Sequence, residues 1–486
     1  MTSSNGRAPV LAGAGLVTQH TDDPVVASDA FDLMVRGARD AVEDSGCTGL
    51  LDHVGWIGVP LGSWPNPGDP GRLVAEELGL ANVHTVLADI GVPQQTLITD
   101  AVRAVAAGET DAALVVGAEA RYRDQRAKAI GVTLPPRAPV GSPDQWMKPA
   151  SLGIHDLELE LGFATPYVVY ALIEDAIAAA SGATRDEHVA SIGELWAGMA
   201  EVARDNPHAW DRSAPDAGEI VTPSAANRML ATPYTKQLCS QWTVDQAAAL
   251  LVCSAEIARS AGVAEDRLVY PVSAAESVHD VPVLERAELH RCPGAAAAGE
   301  RALALAGTAP DELTHVELYS CFPAAVELYG REIGIPLAPA PTVTGGMTFG
   351  GGPFNSFVLQ ATAEMARVLR DDPGTALVST VSGFLHKQAV ALWSSQPATH
   401  GFRAEDVSDE AARRTATRPA VGGHEGPATV VAATVVHAGG RPAHAYCICD
   451  VPDGRALAMA TEPELLAELE RGASGRVVGL RDGAAT

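Results

Sequence analysis

The residues best equipped for chemistry are the seven cysteines, Cys47, Cys239, Cys253, Cys292, Cys321, Cys447 and Cys449. A thiolate is both nucleophile and metal ligand. No Cys-x-x-Cys pair occurs and no Cys/His group has zinc spacing, so no metal is expected. Cys447 and Cys449 alternate on a predicted strand and share one face. Packed free thiols in a reducing compartment are the expected state of most of the seven. A second candidate is the basic run Arg121, Arg123, Arg126 and Lys128, read either as a solvated loop or as an anion site. A third is the pair of glycine clusters Gly345-Gly346 and Gly350-Gly351-Gly352, where the backbone can approach a ligand closely. No Gly-Lys-Ser/Thr follows them, so they are not phosphate loops. His155 has no visible partner and reads as structural.

The elements that must position these groups follow from periodicity. The chain has 486 residues, which points to about three domains. Strands are predicted over residues 8–17, 54–61, 83–90 and 112–118, with helices over 25–45, 71–80 and 94–107. Such alternation, with continuous apolar strands, implies a parallel or mixed sheet covered on both faces. Residues 121–244 break the rhythm with Pro135, Pro136, Pro139 and Pro143 and two helices, 167–180 and 185–204. The pattern resumes with a helix at 245–261 and a strand at 268–274. The second half predicts helices at 295–306, 324–333 and 357–369, with strands at 315–319, 375–382 and 389–393. The helix–Gly–strand segments 101–117 and 364–383 resemble each other, which suggests an internal duplication. Beyond residue 397, β-rich runs at 429–437 and 443–450 flank Gly439-Gly440, a hairpin signal. A helix at 462–471 and a strand at 476–480 complete a small β-barrel.

Net charge is −26, which disfavours nucleic acid and anionic lipid as partners. No run of about 18 apolar residues offers a membrane span. The polar start, residues 1–9, has no secretion-signal pattern, so a cytoplasmic location is expected.

Four segments, in order, resemble the thiolase superfamily over roughly residues 8–396. Residues 101–119 are similar to the helix and strand after the thiolase nucleophile. Asp245-Gln246-Ala247-Ala248-Ala249 resembles the Asp-Gly-Ala-Ala-Ala segment that follows the loop domain. Val316-Glu317-Leu318-Tyr319-Ser320-Cys321-Phe322 is similar to the His-Asp-Cys-Phe motif of sterol-carrier-type thiolases. Gly345-Gly346-Met347-Thr348-Phe349-Gly350-Gly351-Gly352-Pro353 resembles the Gly-Gly…Gly-His-Pro motif. Similar actinobacterial proteins carry the label acetyl-CoA acetyltransferase.

The resemblance implies an α/β thiolase fold of two βαβαβαββ halves in five layers. Residues 1–120 with 245–280 would form the first half, and 121–244 an inserted loop domain. Residues 281–396 would form the second half, and 397–486 an OB-like barrel. The strand at 83–90 would pair across a homodimer in standard thiolases, although the extra domain could obstruct this and leave a monomer. The resemblance also implies a coenzyme A thioester as substrate, with Arg121, Arg123, Arg126 and Lys128 as its cationic contacts.

A thiolase takes the acyl group on a cysteine near a helix N-terminus. Counting back from Gly108 puts that position near Gly91-Val92-Pro93-Gln94, with Gly91 and Val92 the positions of the lost nucleophile, and no cysteine lies between Cys47 and Cys239. The motif histidine aligns with Gly352, the second cysteine with Val381, and the Asn or His of the fourth motif with Tyr319. Tyr319 is then the expected acid–base group, at the price of a lowered pKa if it is to be a base. His386 is a second acid–base candidate. Gly351, Gly352, Asn355 and Ser382 are candidates for holding an oxyanion. Cys321, two strand positions from Tyr319, reads as a core thiol. Thiolase-like aldolases that lack the nucleophile imply retro-aldol chemistry. The alternatives are an inactive protein that binds acyl-CoA or a partner, and the acyltransferase of the family label. The barrel lacks the four-cysteine zinc ribbon of separate OB partner chains, so it is either a coenzyme A guide or a cap that docks a protein partner.

Overall fold

The computed structural model describes residues 7–486; Met1–Gly6, most of the polar start, lie outside it. Two mixed sheets stack with helices between and outside them. The first sheet runs, edge to edge, Pro9–Thr18, Asp245–Ser254, Ala112–Ala120, Val54–Pro60, His84–Ala88 and Gln145–Met147. The second runs His315–Glu317, Thr375–Ser382, Lys387–Ser394, Tyr270–Ser277 and Arg403–Asp406. Helices Gln94–Ala107 and Phe357–Asp371 form the middle layer and touch strands of both sheets. Helix Ala30–Asp44 covers the outer face of the first sheet, and Pro293–Ala306 that of the second. This gives the five layers.

The two middle helices bury most of their surface because a sheet lies on each side, and exposed charged residues such as Arg103 and Asp371 are kept towards their C-terminal ends. Phe357, Val358, Leu359, Met365 and Leu369 are all fully buried. Each such side chain stabilises the layer by roughly 1.5–3 kcal/mol. Helix Gln94–Ala107 ends as its sequence predicts, with Gly108 in the left-handed region at φ 75°. Helix Ala30–Asp44 starts at Asp29, whose carboxylate accepts from the Phe31 and Asp32 amides. It lies so close to the first strand that a Cβ at Gly13 or Gly15 would stand 1.9 Å from a helix carbonyl oxygen.

The structure corrects several local expectations. Residues 245–254 form a strand, not a helix, and only Ala255–Ala261 is helical. Alanine favours helices, but this run pairs with Pro9–Thr18 on one side and Ala112–Ala120 on the other. A slot between two strands overrides propensity, and its small side chains admit the helices on either face. The strand at 315–319 stops at Glu317. There the Leu318 amide turns to Pro341 O and the Tyr319 amide to Ser379 Oγ. Tyr319 and Cys321 therefore do not share a strand face. The basic run at 121–129 is a helix rather than a loop.

At the C-terminus, Gly426–Ala438, Arg441–Val451, Gly454–Ala460, Ala484–Ala485 and Val477–Arg481 pair in a ring that closes on the first strand. This closed five-strand barrel is OB-like. Its hairpin turns at Gly439 and Gly440, both with positive φ, as a two-residue turn requires. Cys447 and Cys449 sit together in its core. The strand Gly454–Ala460 was not expected from sequence; it packs almost wholly buried. The barrel is joined to the insertion: Met229–Ala231 extends its sheet, and the Ala433 amide donates to Asp175 Oδ2.

Candidate active site

Three pieces of chain meet around Tyr319: the N-terminus of helix Gln94–Ala107, the segment after strand His315–Glu317 and, through Ser320, the glycine-rich turn 345–352. The turn between strands Thr375–Ser382 and Lys387–Ser394 lies beyond Tyr170, whose hydroxyl donates to Gly383 O. Glu317 holds the second and third of the three pieces together. Its carboxyl is fully buried and accepts from Thr342 Oγ1 at 2.9 Å, Thr344 Oγ1 at 3.0 Å, and the Val343 and Thr344 amides at 2.7 and 2.9 Å. The chain then enters a π-helical turn, Gly346–Gly350, whose Met347 amide donates to Ser320 Oγ.

Tyr319 is buried, with its ring edge-on to Phe357 and its hydroxyl near the side chain of Gln94. Gln94 in turn accepts from the Val358 amide at 2.7 Å. Burial pushes the Tyr319 phenol well above its ordinary pKa, and the nearby Cys321 adds to this. The tyrosine thus stays neutral and is a hydrogen-bond and proton donor, not a resting base. His386 is held neutral too. Burial, then the charges of Arg286 and Lys387, pull its pKa down to about 2. Its Nδ1 accepts from the Phe384 amide at 2.9 Å, which assigns the proton to Nε2, and the ring packs against the backbone of Gly153. No direct bond joins Tyr319 and His386; Phe322, Tyr170 and Phe384 stack between them.

The glycine frame is tightly enclosed. A Cβ at Gly351 would meet Gln246 Oε1 at 2.0 Å, and Gly352 lies against Met347. Gln246 Nε2 donates to Gly350 O at 2.9 Å and to His208 O at 3.2 Å. Gln246 stands where the resembled motif has glycine, so its amide fills the space behind the loop and uses up the Gly350 carbonyl. Gly345 has φ 91° and a would-be Cβ 2.4 Å from Ala203 Cβ. Gly345→Ala is expected to cost about 2–4 kcal/mol in urea unfolding, from overpacking and left-handed strain together.

The other sequence candidates are placed as follows. Asn355 donates to Leu61 O at 3.1 Å, tying the loop exit to the first sheet. Ser382 ends its strand half-buried, opposite Lys387. Val92 lies in the core, and Gly91 turns with φ 97°. The Gly91 carbonyl accepts from Lys387 Nζ at 2.9 Å, as does Ser151 O at 2.7 Å. Lys387 is almost wholly buried, with Asp280 3.6 Å away, and burial lowers its pKa. In the basic helix Arg121–Ala129, Arg123 donates to Ala27 O and Arg126 to Asp22 O. Arg121 stacks over Trp242 at 3.7 Å, and Trp242 packs against Phe354 beside the glycine turn. Arg121 alone of the four borders the loop; Arg123 and Lys128 line a separate cleft of about 520 Å³ with Trp64, Phe31 and Asp124.

Sequence reasoning missed Lys387, Trp242 and the roles of Gln94 and Gln246. Only Gln246 carried a signal, a large amide where the related motif has glycine. The other three act through contacts more than 100 residues distant along the chain.

No family model and no curated protein matches the sequence. Solved structures do. The monomeric SCP2-thiolase-like protein type 1 from Mycobacterium smegmatis superposes with a TM-score of 0.83 at 26% identity, over 99% of each chain. The Ltp2-ChsH2(DUF35) aldolase matches with a TM-score of 0.60 at 19% identity, over 80% of this chain and 98% of that one. The dimeric peroxisomal thiolase of Saccharomyces cerevisiae matches at 0.57 and 14%, over 81% and 99%. The layered fold and these matches make the chain a member of the thiolase superfamily. Its likeness to the M. smegmatis thiolase-like protein extends through the C-terminal barrel, since that match spans nearly the whole of both chains.

Proposed function

We propose that this protein acts on acyl-CoA thioesters without an acyl-enzyme, in carbon–carbon bond chemistry of the retro-aldol type. The observation that carries this is Tyr319. Its neutral hydroxyl lies near Gln94, at the N-terminus of the helix that presents the thiolase nucleophile in the related motif. No cysteine lies between Cys47 and Cys239, and burial pushes the Cys321 thiol up to about 12, far from a thiolate. In a retro-aldol step the Cα–Cβ bond of a β-hydroxyacyl ester breaks. The β-hydroxyl loses its proton and becomes a carbonyl, and the thioester enolate gains one at Cα. Tyr319 would give its proton to Cα and be reprotonated by the proton from the hydroxyl. The Gly351 amide would hold the enolate oxygen, since the Gly352 amide already donates to Gln241 O at 2.9 Å. Arg121 over Trp242 is the cation placed to meet the coenzyme. The free thiols suit a cytoplasmic enzyme, and among the described residues no helix is long and apolar enough to cross a membrane.

The test is mass spectrometry of the protein with a panel of β-hydroxyacyl-, β-ketoacyl- and short acyl-CoA esters, with and without free coenzyme A. Shorter CoA esters together with an aldehyde or ketone support the reading. Products that need free coenzyme A would instead give the acyltransferase of the family label.

A second reading, an acyl-CoA-binding protein with no turnover, draws on the Gln246 amide packed behind the glycine turn. Binding of coenzyme A with no product from any ester would select it. The barrel would then serve chiefly to fix the insertion or to dock a protein partner.

We further expect a monomer. The strand His84–Ala88 would be the free edge for dimer pairing, but Val86, Leu87 and Ala88 pair in parallel with Gln145, Trp146 and Met147 of the same chain. A covered edge has no ladder left to offer. Light scattering on the eluting protein should give the mass of one chain; a two-chain mass would mean that this cover opens or that another surface pairs.

A further inference from the structure

Away from Tyr319, three helices each turn one metal-ligating side chain to a common point. Glu174 lies on Pro166–Ser181 and His188 on Arg185–Asp205, both in the insertion. Glu327 lies on Pro323–Ile333, in the second half of the layered core. One donor atom from each falls within 4.8 Å of the other two. His188 Nε2 is 2.5 Å from Glu174 Oε1 and 3.8 Å from Glu327 Oε2. Glu174 is wholly buried and His188 nearly so. Glu327 Oε2 is buried, accepts from no neighbouring N–H or hydroxyl, and faces the Glu174 carboxyl.

The surroundings hold the set in place but do not neutralise it. Tyr234 donates its hydroxyl to Glu174 Oε2 at 2.5 Å, while accepting from the Ala324 amide. This is the outer-shell support that fixes a ligand carboxylate. The nearest arginines are engaged elsewhere, Arg185 with Asp175 and Arg331 with His290 O. Two carboxylates facing each other in a buried site cannot both ionise without a cation. Two Glu oxygens and one imidazole nitrogen are the donor set of a first-row divalent ion, with metal–ligand distances of about 2.0–2.2 Å. Such bonds need donors about 3–3.5 Å apart, by that geometry, and the 2.5 and 3.8 Å separations bracket this range.

We propose that Glu174, His188 and Glu327 bind one divalent first-row transition-metal ion, which clamps the insertion to the second half of the core. Water would complete the coordination on the side where Glu327 is partly exposed. The site is independent of the Tyr319 chemistry, so its test does not use turnover.

The full-length protein should be analysed for metals as purified, then stripped with chelator and titrated with Co2+ alone. About one metal per chain is expected, with visible Co2+ absorption bands and a melting temperature that falls by several degrees on stripping and returns with Co2+. Glu327→Gln keeps the shape of the side chain and should weaken Co2+ binding tenfold or more while the protein still melts cooperatively. A chain with no metal, no Co2+ band at millimolar metal and a melting temperature untouched by chelator would overturn the proposal. The three residues would then be a carboxyl pair sharing a proton beside a neutral histidine, and Glu327→Gln would be as stable as the parent.

Discussion

Tyr319→Phe is expected to lower turnover of the reacting acyl-CoA ester by about 10²–10⁴-fold, the range for loss of a positioned proton donor. The fold should be retained, because the substitution removes one hydroxyl and leaves the ring edge-on to Phe357. The Gln94 side chain keeps its bond from the Val358 amide. Coenzyme A affinity should change little, since the phenol acts on the acyl part. Steady-state kinetics should therefore show the loss in kcat with KM nearly constant. Full activity in Tyr319→Phe would remove the residue from the mechanism. The raised phenol pKa gives a further expectation. Activity should show no fall from tyrosine ionisation below pH 10, because the neutral form persists beyond the ordinary value.

Glu317→Ala is expected to destabilise the protein by about 3–5 kcal/mol and to abolish any activity. The estimate follows from leaving two buried amides and two threonine hydroxyls without their acceptor, at about 1–3 kcal/mol for each unsatisfied group and with partial relaxation. The loss would fall on the turn that sets the Gly345–Gly352 frame, since the same carboxyl fixes Thr342, Val343 and Thr344. Glu317→Gln separates shape from charge. Burial, opposed by the four donors, pushes the folded carboxyl up to about 7, against an ordinary value of 4.5. The folded state thus holds this proton more tightly than the unfolded chain. Its stabilisation is complete below about pH 4.5 and is lost as pH rises through about 7. Denaturant unfolding between pH 5 and 7 should accordingly show a downward stability trend that is smaller in Glu317→Gln. An unchanged trend in the variant would mean that the donors outweigh burial and the carboxyl is ionised throughout.

Some of this was legible in the residues themselves. Helix Gln94–Ala107 and strand Thr375–Ser382 stand where periodicity puts them, because each has a local stop signal and an apolar pattern that only one element satisfies. The hairpin at Gly439-Gly440 is equally local. The four ordered motifs pointed to the thiolase fold, and the absence of a cysteine between Cys47 and Cys239 is a fact of the sequence alone. The strand Asp245–Ser254 was not legible. Its alanines prefer a helix in isolation, and only two flanking strands turn them into sheet. The cover of the His84–Ala88 edge depends on Gln145–Met147, a three-residue strand with no pattern of its own.

The same division runs through the site. Sequence named Tyr319 and the glycines because these align with motif positions, and His386 because it follows the position aligned with the second cysteine. It did not give their protonation, since burial in a tertiary core is what holds the tyrosine and the histidine neutral. Gln94 and Lys387 join the site through contacts with residues hundreds of positions away. Glu174, His188 and Glu327 show no metal spacing in the chain, and meet only because three helices pack. What the sequence by itself determined was the set of local elements, the superfamily frame and the absence of any cysteine between Cys47 and Cys239, all of which are read along the chain. Tertiary structure alone decided charge states, edge pairing and the meeting of distant side chains, because desolvation and long-range contact exist only once the layers have closed.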